Sequence, residues 1–367
     1  MPEMTRPSGQ WPLAARLHFI DTLKAVAAQF IVWHHFASYG PLATLTAPLF
    51  PQALFWLHEH ARLAVHAFLA ISGYLTARHL AQMETFGWQA LGRELLRRYV
   101  RLGGPYLALL LLAIAANMLA DRWSDHPVVA PPPTWPQVLA HVVFLQDLLG
   151  HPALSAGVWY VAIDFHLFLL ALGIWLLAHA GAPRLGLAAE PLAQSLFTLL
   201  ALAARFWFNL NPDYDTLAPY FCGSYFAGMV GYWAALRRAA WPMVAWVAAV
   251  VASEILAWRP RLVIATITAC ALLLAAERRR LQWPASRMFA YLGRTSFSLF
   301  LIHFPIYLLV SAWLDQWALS PVQAALGILL AWILSLLAAD LLYRTVERPC
   351  LALAERLSWR RSRSVRG

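Results

Sequence analysis

Apolar stretches about as long as a bilayer is thick follow one another along nearly the whole chain, and nothing else constrains its fold so strongly. Ten such spans can be drawn, at about 19–39, 60–80, 99–120, 157–179, 188–208, 216–236, 240–257, 261–277, 288–312 and 322–344. Each is near the ~20 residues that a helical crossing needs. In hydrocarbon the backbone N–H and C=O groups must be satisfied within the segment, so spans of this kind fold as helices. Composition agrees. The chain is 61% hydrophobic and only 13% charged, whereas soluble domains run near about 25% charged. The expected fold class is all-α, a polytopic membrane bundle of about ten helices.

An even number of crossings puts both termini on one side. The termini and the loops on their side hold 21 of the 28 Lys and Arg, Arg97, Arg98, Arg101, Arg237, Arg238 and Arg278 to Arg280 among them. The opposite loops hold five: Arg62, Arg122, Arg205, Arg259 and Arg261. The positive-inside rule therefore makes both termini cytoplasmic. The Trp258–Arg261 turn breaks the rule and makes spans seven and eight the least certain. The net charge of +10 is distributed between apolar spans rather than over one soluble face, which argues against a nucleic-acid partner. The N-terminus lacks a charged–apolar–small cleavage pattern, so a removable signal peptide is not expected. Cys222, Cys270 and Cys350 have neither pairing nor metal-ligand spacing. The long connection at 121–156 opens with Pro131–Pro133, which cannot be helical. Its apolar stretch Val138–Leu149 is too short to cross and suits a re-entrant or interfacial segment over the outer face.

Ionisable groups inside such spans are costly and mark function by default. The first span carries Asp21 and Lys24 near one end and His34-His35 at the other. Lys24 and His35 are eleven positions apart, about 16 Å along a helix axis and close to three full turns, so they share a face. Asp21 and Lys24 alone would equally suit a solvated helix start with a snorkelling lysine. The second span holds Ser72-Gly73-Tyr74, a small pair that permits close helix approach. Arg98 and Arg101 share a face three residues apart and could grip phosphate, or could be ordinary cytoplasmic bias. Asp164 lies about two turns inside the fourth span, five residues after Trp159, with His35 as a candidate partner. His303 stands two residues before Pro305 in the ninth span. The last span ends Tyr343-Arg344-Thr345-Val346-Glu347-Arg348-Pro349, a charged stop that reads as an anchor.

Taken in order, these motifs resemble the membrane acyltransferase-3 family, bacterial ten-helix enzymes that acylate surface glycans and related acceptors. Asp21-Thr22-Leu23-Lys24 with His35-Phe36 resembles the family's first-helix pattern of Asp, a basic residue, ten residues and His-Phe, and the spacing selects His35 over His34. Phe68 to Leu75 resembles its segment ending Ser-Gly-aromatic, and Arg98-Tyr99-Val100-Arg101 its Arg-x-x-Arg stretch. Trp159 with Asp164 is similar to its Trp-x-x-x-x-Glu helix, and Gly293 to Pro305 to its Gly-x-x-Ser-aromatic…His-x-Pro helix. Glu347-Arg348-Pro349 also fits. The departures are Lys24 for Arg, Asp164 for Glu, His66 where Asp is frequent, and Pro105 displaced by one residue. The resemblance divides the chain into a cytoplasmic segment 1–16, an acyltransferase-like membrane domain 17–350 and a basic tail 351–367.

The resemblance implies acyl transfer from cytoplasmic acyl-CoA, most often acetyl-CoA, to a hydroxyl of a surface glycan or lipid-linked sugar at a bacterial inner membrane. No permanently bound cofactor and no metal are implied. His35 would be the base on that hydroxyl or a transient acyl carrier, with Asp164 orienting it. Arg98 and Arg101 would hold CoA phosphates, and Lys24 would bind phosphate or polarise the thioester carbonyl. Asp21, Ser72, Tyr74, Trp159 and His303 would support the site. The competing class is a proton-coupled transporter using the same Lys24, His35 and Asp164, but the chain lacks an internal hydropathy repeat. A metal site at His58-Glu59-His60 lacks a third ligand. Oligomeric state is open, since lipid-facing and partner-facing apolar surfaces look alike.

Overall fold

A computed structural model describes residues 13–84, 86–277 and 286–359. Residues 1–12 of the N-terminal segment, Arg278–Arg280 and residues 360–367 of the basic tail lie outside these. No strand occurs among the described residues. The helices are α1 (Leu13–Ser38), α2 (Gly40–Thr46), α3 (Pro51–His60), α4 (Ala64–Leu80), α5 (Trp88–Ala120), α6 (Trp135–Val142), α7 (Val158–Leu185) and α8 (Ala189–Phe206). They continue with α9 (Ala218–Arg237), α10 (Trp241–Leu256), α11 (Pro260–Glu277), α12 (Arg287–Arg294), α13 (Ser296–Leu314), α14 (Pro321–Leu342) and α15 (Arg348–Trp359). Five of the described helices are long and apolar enough to cross a membrane on those criteria alone: α5, α7, α8, α13 and α14. The chain is a multi-pass membrane protein, and each expected span has a helical counterpart.

Local chemistry sets many of the boundaries. Proline occupies one of the first two positions of α2, α3, α6, α9, α10 and α14, where its missing N–H costs nothing. Thr134 with Gln137 and Ser320 with Gln323 close capping boxes at the starts of α6 and α14. The ninth expected span is broken: Thr295 sits near φ −88° and ψ 1°, and its hydroxyl donates to the Tyr291 carbonyl. The last span does not stop at Tyr343. It passes through one π-helical turn, Tyr343–Glu347, into α15, and such turns often re-aim functional side chains.

The α4–α9 pair packs most extensively. A Cβ on Gly73 would collide with the Tyr225 carbonyl oxygen, and one on Gly228 with that of Ala70. The small-pair reading of Ser72-Gly73 therefore holds for the glycine. Gly293 does the same for α12, which lies against the α1 backbone at Asp21.

The 138–149 segment dips inward. Phe144, buried at a left-handed φ of 61°, packs against Tyr106 at 4.9 Å and Phe165 at 4.8 Å between ring centroids. Tyr99 donates from its hydroxyl to the Val142 carbonyl at 2.9 Å. Trp135, Leu139 and Leu149 remain exposed. The segment thus packs inward against Tyr99 and Phe165.

Three arginines of the sparsely charged loops are tied to helix ends. Buried Arg205 pairs with Glu254 at 3.0 Å and donates to Ser253 and to the Ala257 carbonyl. Arg259 donates to the Asn209 and Leu210 carbonyls, and Arg261 to the Tyr220 hydroxyl. Orphan carbonyls at helix ends need donors where water is scarce, which accounts for arginine at these turns.

Candidate active site

Two groups of the expected residues come together, in different places. The first lines a cavity of about 260 Å³. Asp21 and Lys24 of α1, Ser72 of α4, Arg98 and Arg101 of α5, and Asp164 of α7 all face it, joined by Arg294 of α12 and Glu347 of the π turn. The helical spacing predicted from sequence explains the pairs: Lys24 Nζ lies 3.8 Å from Asp21 Oδ1 three residues back, and Arg98 and Arg101 point the same way.

Asp164 does not reach His35, which corrects the expected partnership. Its Oδ2 accepts from Arg98 Nη2 at 2.5 Å, and its Oδ1 accepts from the Ser72 hydroxyl at 2.5 Å. A second contact, Arg98 Nη2 to Ser72 Oγ at 3.2 Å, closes the triangle. The Arg98 guanidinium also lies 4.8 Å from the centre of the Phe168 ring. The reason is helix length. α5 starts at Trp88 rather than near 99, so Arg98 sits about 15 Å inside the helix and level with Asp164. Arg98 is therefore committed to a buried ion pair and is not the free phosphate fork expected of it.

Arg101 is different. Exposed into the cavity, it makes no hydrogen bond or ion pair among the described residues. It also borders an adjoining cavity of about 100 Å³ with Thr76, His79 and Arg97. There Glu94 holds Arg97 at 3.0 Å and His79 at 2.8 Å. Arg294 likewise faces the main cavity without an ion-pair partner among the described residues.

Glu347 corrects the anchoring role given to the chain's last span. It is buried, accepts from the Ser298 hydroxyl at 2.5 Å, and faces the cavity that Lys24 and Arg101 share. The π turn carries it there; a continuous α-helix would rotate it elsewhere. The Glu-Arg-Pro motif was the available signal in the sequence.

The second group is a histidine pair. His35 Nδ1 lies 2.6 Å from His303 Nε2, with ring planes within 6° and centroids 4.9 Å apart. With so short an N···N contact the coplanar rings meet edge to edge in a hydrogen bond. His303 is fully buried, and its Nδ1 is 3.0 Å from the Leu299 carbonyl. His34 turns the other way, its ring bonded at Nδ1 to the Leu57 carbonyl at 3.2 Å. The face argument that separated the two histidines is thus matched by their partners.

Phe300 links cavity and pair, with Phe68 and Tyr160 packed beside it. All three line the cavity; Phe300 lies 5.2 Å from Tyr160 and 6.1 Å from Phe68, and 6.3 Å from His303 on its far side. Two supporting candidates fall outside both groups. Tyr74 is buried edge-on against Tyr232 at 5.5 Å, and Trp159 packs on Phe221 at 5.6 Å. His66, at the family's frequent Asp position, bonds Ser224 at 2.8 Å. No cluster of three or more His, Cys, Asp or Glu side chains suited to a metal occurs among the described residues.

A family profile described as an acyltransferase domain matches residues 17–344, nearly the whole chain. A curated relative, regulator of hypoxia-inducible factor 1 from Caenorhabditis elegans, is 26% identical over 174 residues, 43% of this chain. The match spans about a third (34%) of that relative's length. No solved structure matches the chain.

Proposed function

Because the chain belongs to the acyltransferase-3 family, we propose that this membrane acyltransferase moves an acyl group, acetyl by family preference, from cytoplasmic acyl-CoA to a hydroxyl of a surface glycan or lipid-linked sugar. The proposal includes ten crossings, both termini cytoplasmic, and a bacterial inner membrane. The observation that carries it is the cationic cavity in which Arg101 and Arg294 have no ion-pair partner among the described residues, and whose lining Phe300 lies 6.3 Å from His303, the hydrogen-bonded partner of His35. Partnerless arginines beside Lys24 suit the phosphates of a CoA donor. The Arg98–Asp164–Ser72 triangle supports the wall rather than the ligand.

In this reading the donor's pantetheine arm passes Phe300 and brings the thioester to His35. His35 takes the proton of the acceptor hydroxyl as its oxygen attacks the thioester carbonyl carbon. The tetrahedral intermediate collapses with cleavage of the carbon–sulfur bond, and the proton held by His35 passes to the departing CoA sulfur. The products are the O-acyl ester and CoA. Lys24 or a cavity arginine would offset charge on the donor side.

The test is CoA release from acetyl-CoA by detergent-purified protein with cell-envelope extract as acceptor. His35→Ala is expected to lose at least about a hundredfold in rate, as removal of a general base does, while His34→Ala keeps wild-type turnover. Equal loss in both variants would remove His35 from the role, and absence of acetyl-CoA turnover in the wild type would favour the transporter reading.

Glu347 gives a second check on the donor site. Its carboxylate faces the same space as the donor phosphates, so Glu347→Gln, which keeps an acceptor for Ser298, removes a repulsion. The KM for acetyl-CoA should fall by roughly threefold, with the gain fading at high salt. An unchanged or raised KM would place the phosphates elsewhere.

A further inference from the structure

We propose that His303 is a positioning residue that sets the tautomer of His35, with the Leu299 carbonyl as the fixed end of the relay. This rests on reading His35 as the base. The geometry orders the protons from one end. A carbonyl oxygen only accepts, so the His303 Nδ1 that lies 3.0 Å from Leu299 O must carry a hydrogen. A neutral imidazole has one N–H, which leaves His303 Nε2 as a lone pair. That lone pair sits 2.6 Å from His35 Nδ1, so Nδ1 must donate to it. His35 Nε2 is then left without a hydrogen, the state a base needs.

The relay does what a buried carboxylate does in a Ser–His–Asp triad, fixing ring orientation and tautomer, but without a negative charge. Asp164, the carboxylate expected as partner, is held by Arg98 and Ser72. The environment suits a neutral partner: His303 is fully buried, His35 is 7% exposed, and the pair is flanked by Phe36 and Phe304. Burying an anion there would cost more than burying a second imidazole. The position is also stiff, because His303 is anchored one turn back on its own helix. Once His35 takes up the substrate proton, its Nδ1–H remains pointed at His303 Nε2, so the ring keeps its orientation through the step.

The experiment compares wild type, His303→Leu, His303→Gln and His35→Ala in acetyl-CoA turnover with envelope extract. It adds nitrogen-15 histidine spectra of the detergent-purified protein, the His35 signal being assigned by its loss in His35→Ala. In His303→Leu, kcat should fall at least about a hundredfold, in line with the cost of a wrong tautomer. KM for acetyl-CoA should stay within twofold, and the His35 signal should change from the Nδ1-protonated form to a mixture of tautomers. His303→Gln offers an amide oxygen to the same Nδ1–H and should recover kcat to within about tenfold of wild type. A role confined to packing would move stability without the tautomer change and without rescue by glutamine over leucine. Wild-type kcat in His303→Leu, beside an inactive His35→Ala, overturns the relay and leaves the base intact. Full activity in His35→Ala overturns both.

Discussion

Arg98→Leu is expected to lower the thermal midpoint of the purified protein by on the order of 10 °C and to abolish CoA release. The substitution leaves Asp164 buried, held only by Ser72. An uncompensated charge of this kind costs about 3–5 kcal/mol, and each kcal/mol is worth roughly 2–4 °C in a domain of this size class. Removing both charges is a different matter. Arg98→Leu with Asp164→Leu takes away the anion as well as its partner, and apolar replacements of buried pairs are often neutral. The double variant should therefore regain most of the lost stability while turnover stays lost, because the wall carrying Ser72 and Arg101 has been rebuilt. Size-exclusion recovery after a heating series, run beside the CoA assay, reads both quantities. A single variant as stable as wild type would mean that the pair is water-accessible and contributes little.

Gly228→Leu is expected to give no monodisperse protein at all. The new side chain would start inside the Ala70 carbonyl oxygen, which is backbone and cannot swing away. α4 and α9 would have to separate, and the Thr76–Tyr225 and His66–Ser224 hydrogen bonds between them would go with the contact. Overpacking of ordinary cores costs about 1–3 kcal/mol, and a backbone clash lies beyond that range. Gly181→Ala in α7 is the control. Nothing lies within 4 Å of its added methyl, and alanine is the better helix former by up to about 1 kcal/mol. Equal yields from the two variants would contradict the close approach of α4 and α9.

Much of this was readable from residue order. Spans of about twenty apolar residues have few folds open to them, so the helices could be drawn before any contact was known. The three-residue spacing put Asp21 with Lys24 and Arg98 with Arg101, since that depends only on helical pitch. What failed was depth. Arg98 looked like the membrane edge because apolar residues dominate only after it, yet α5 begins eleven residues earlier than residue 99, at Trp88. That offset turned a supposed phosphate ligand into Asp164's partner. The π turn at Tyr343–Glu347 was equally hidden, because one extra residue in a turn leaves no mark in an apolar pattern. The His35–His303 bond joins positions 268 residues apart, and periodicity within a helix carries no information at that separation.

The layer of Phe68, Tyr160 and Phe300 has an electrical consequence. A bilayer works as a charged capacitor, and an elementary charge crossing it exchanges about 2.3 kcal/mol per 100 mV. Any protein with a hydrated cationic chamber opening to one face and a titratable imidazole deeper in stands one wetted gap from short-circuiting that voltage. Phe300 packs edge-on against Phe68 and Tyr160, and rings packed in this way are a poor path for hydronium or chloride. A variant such as Phe300→Ala would then be recognised by leak as much as by chemistry: in sealed proteoliposomes, a pH gradient that wild-type protein holds should collapse.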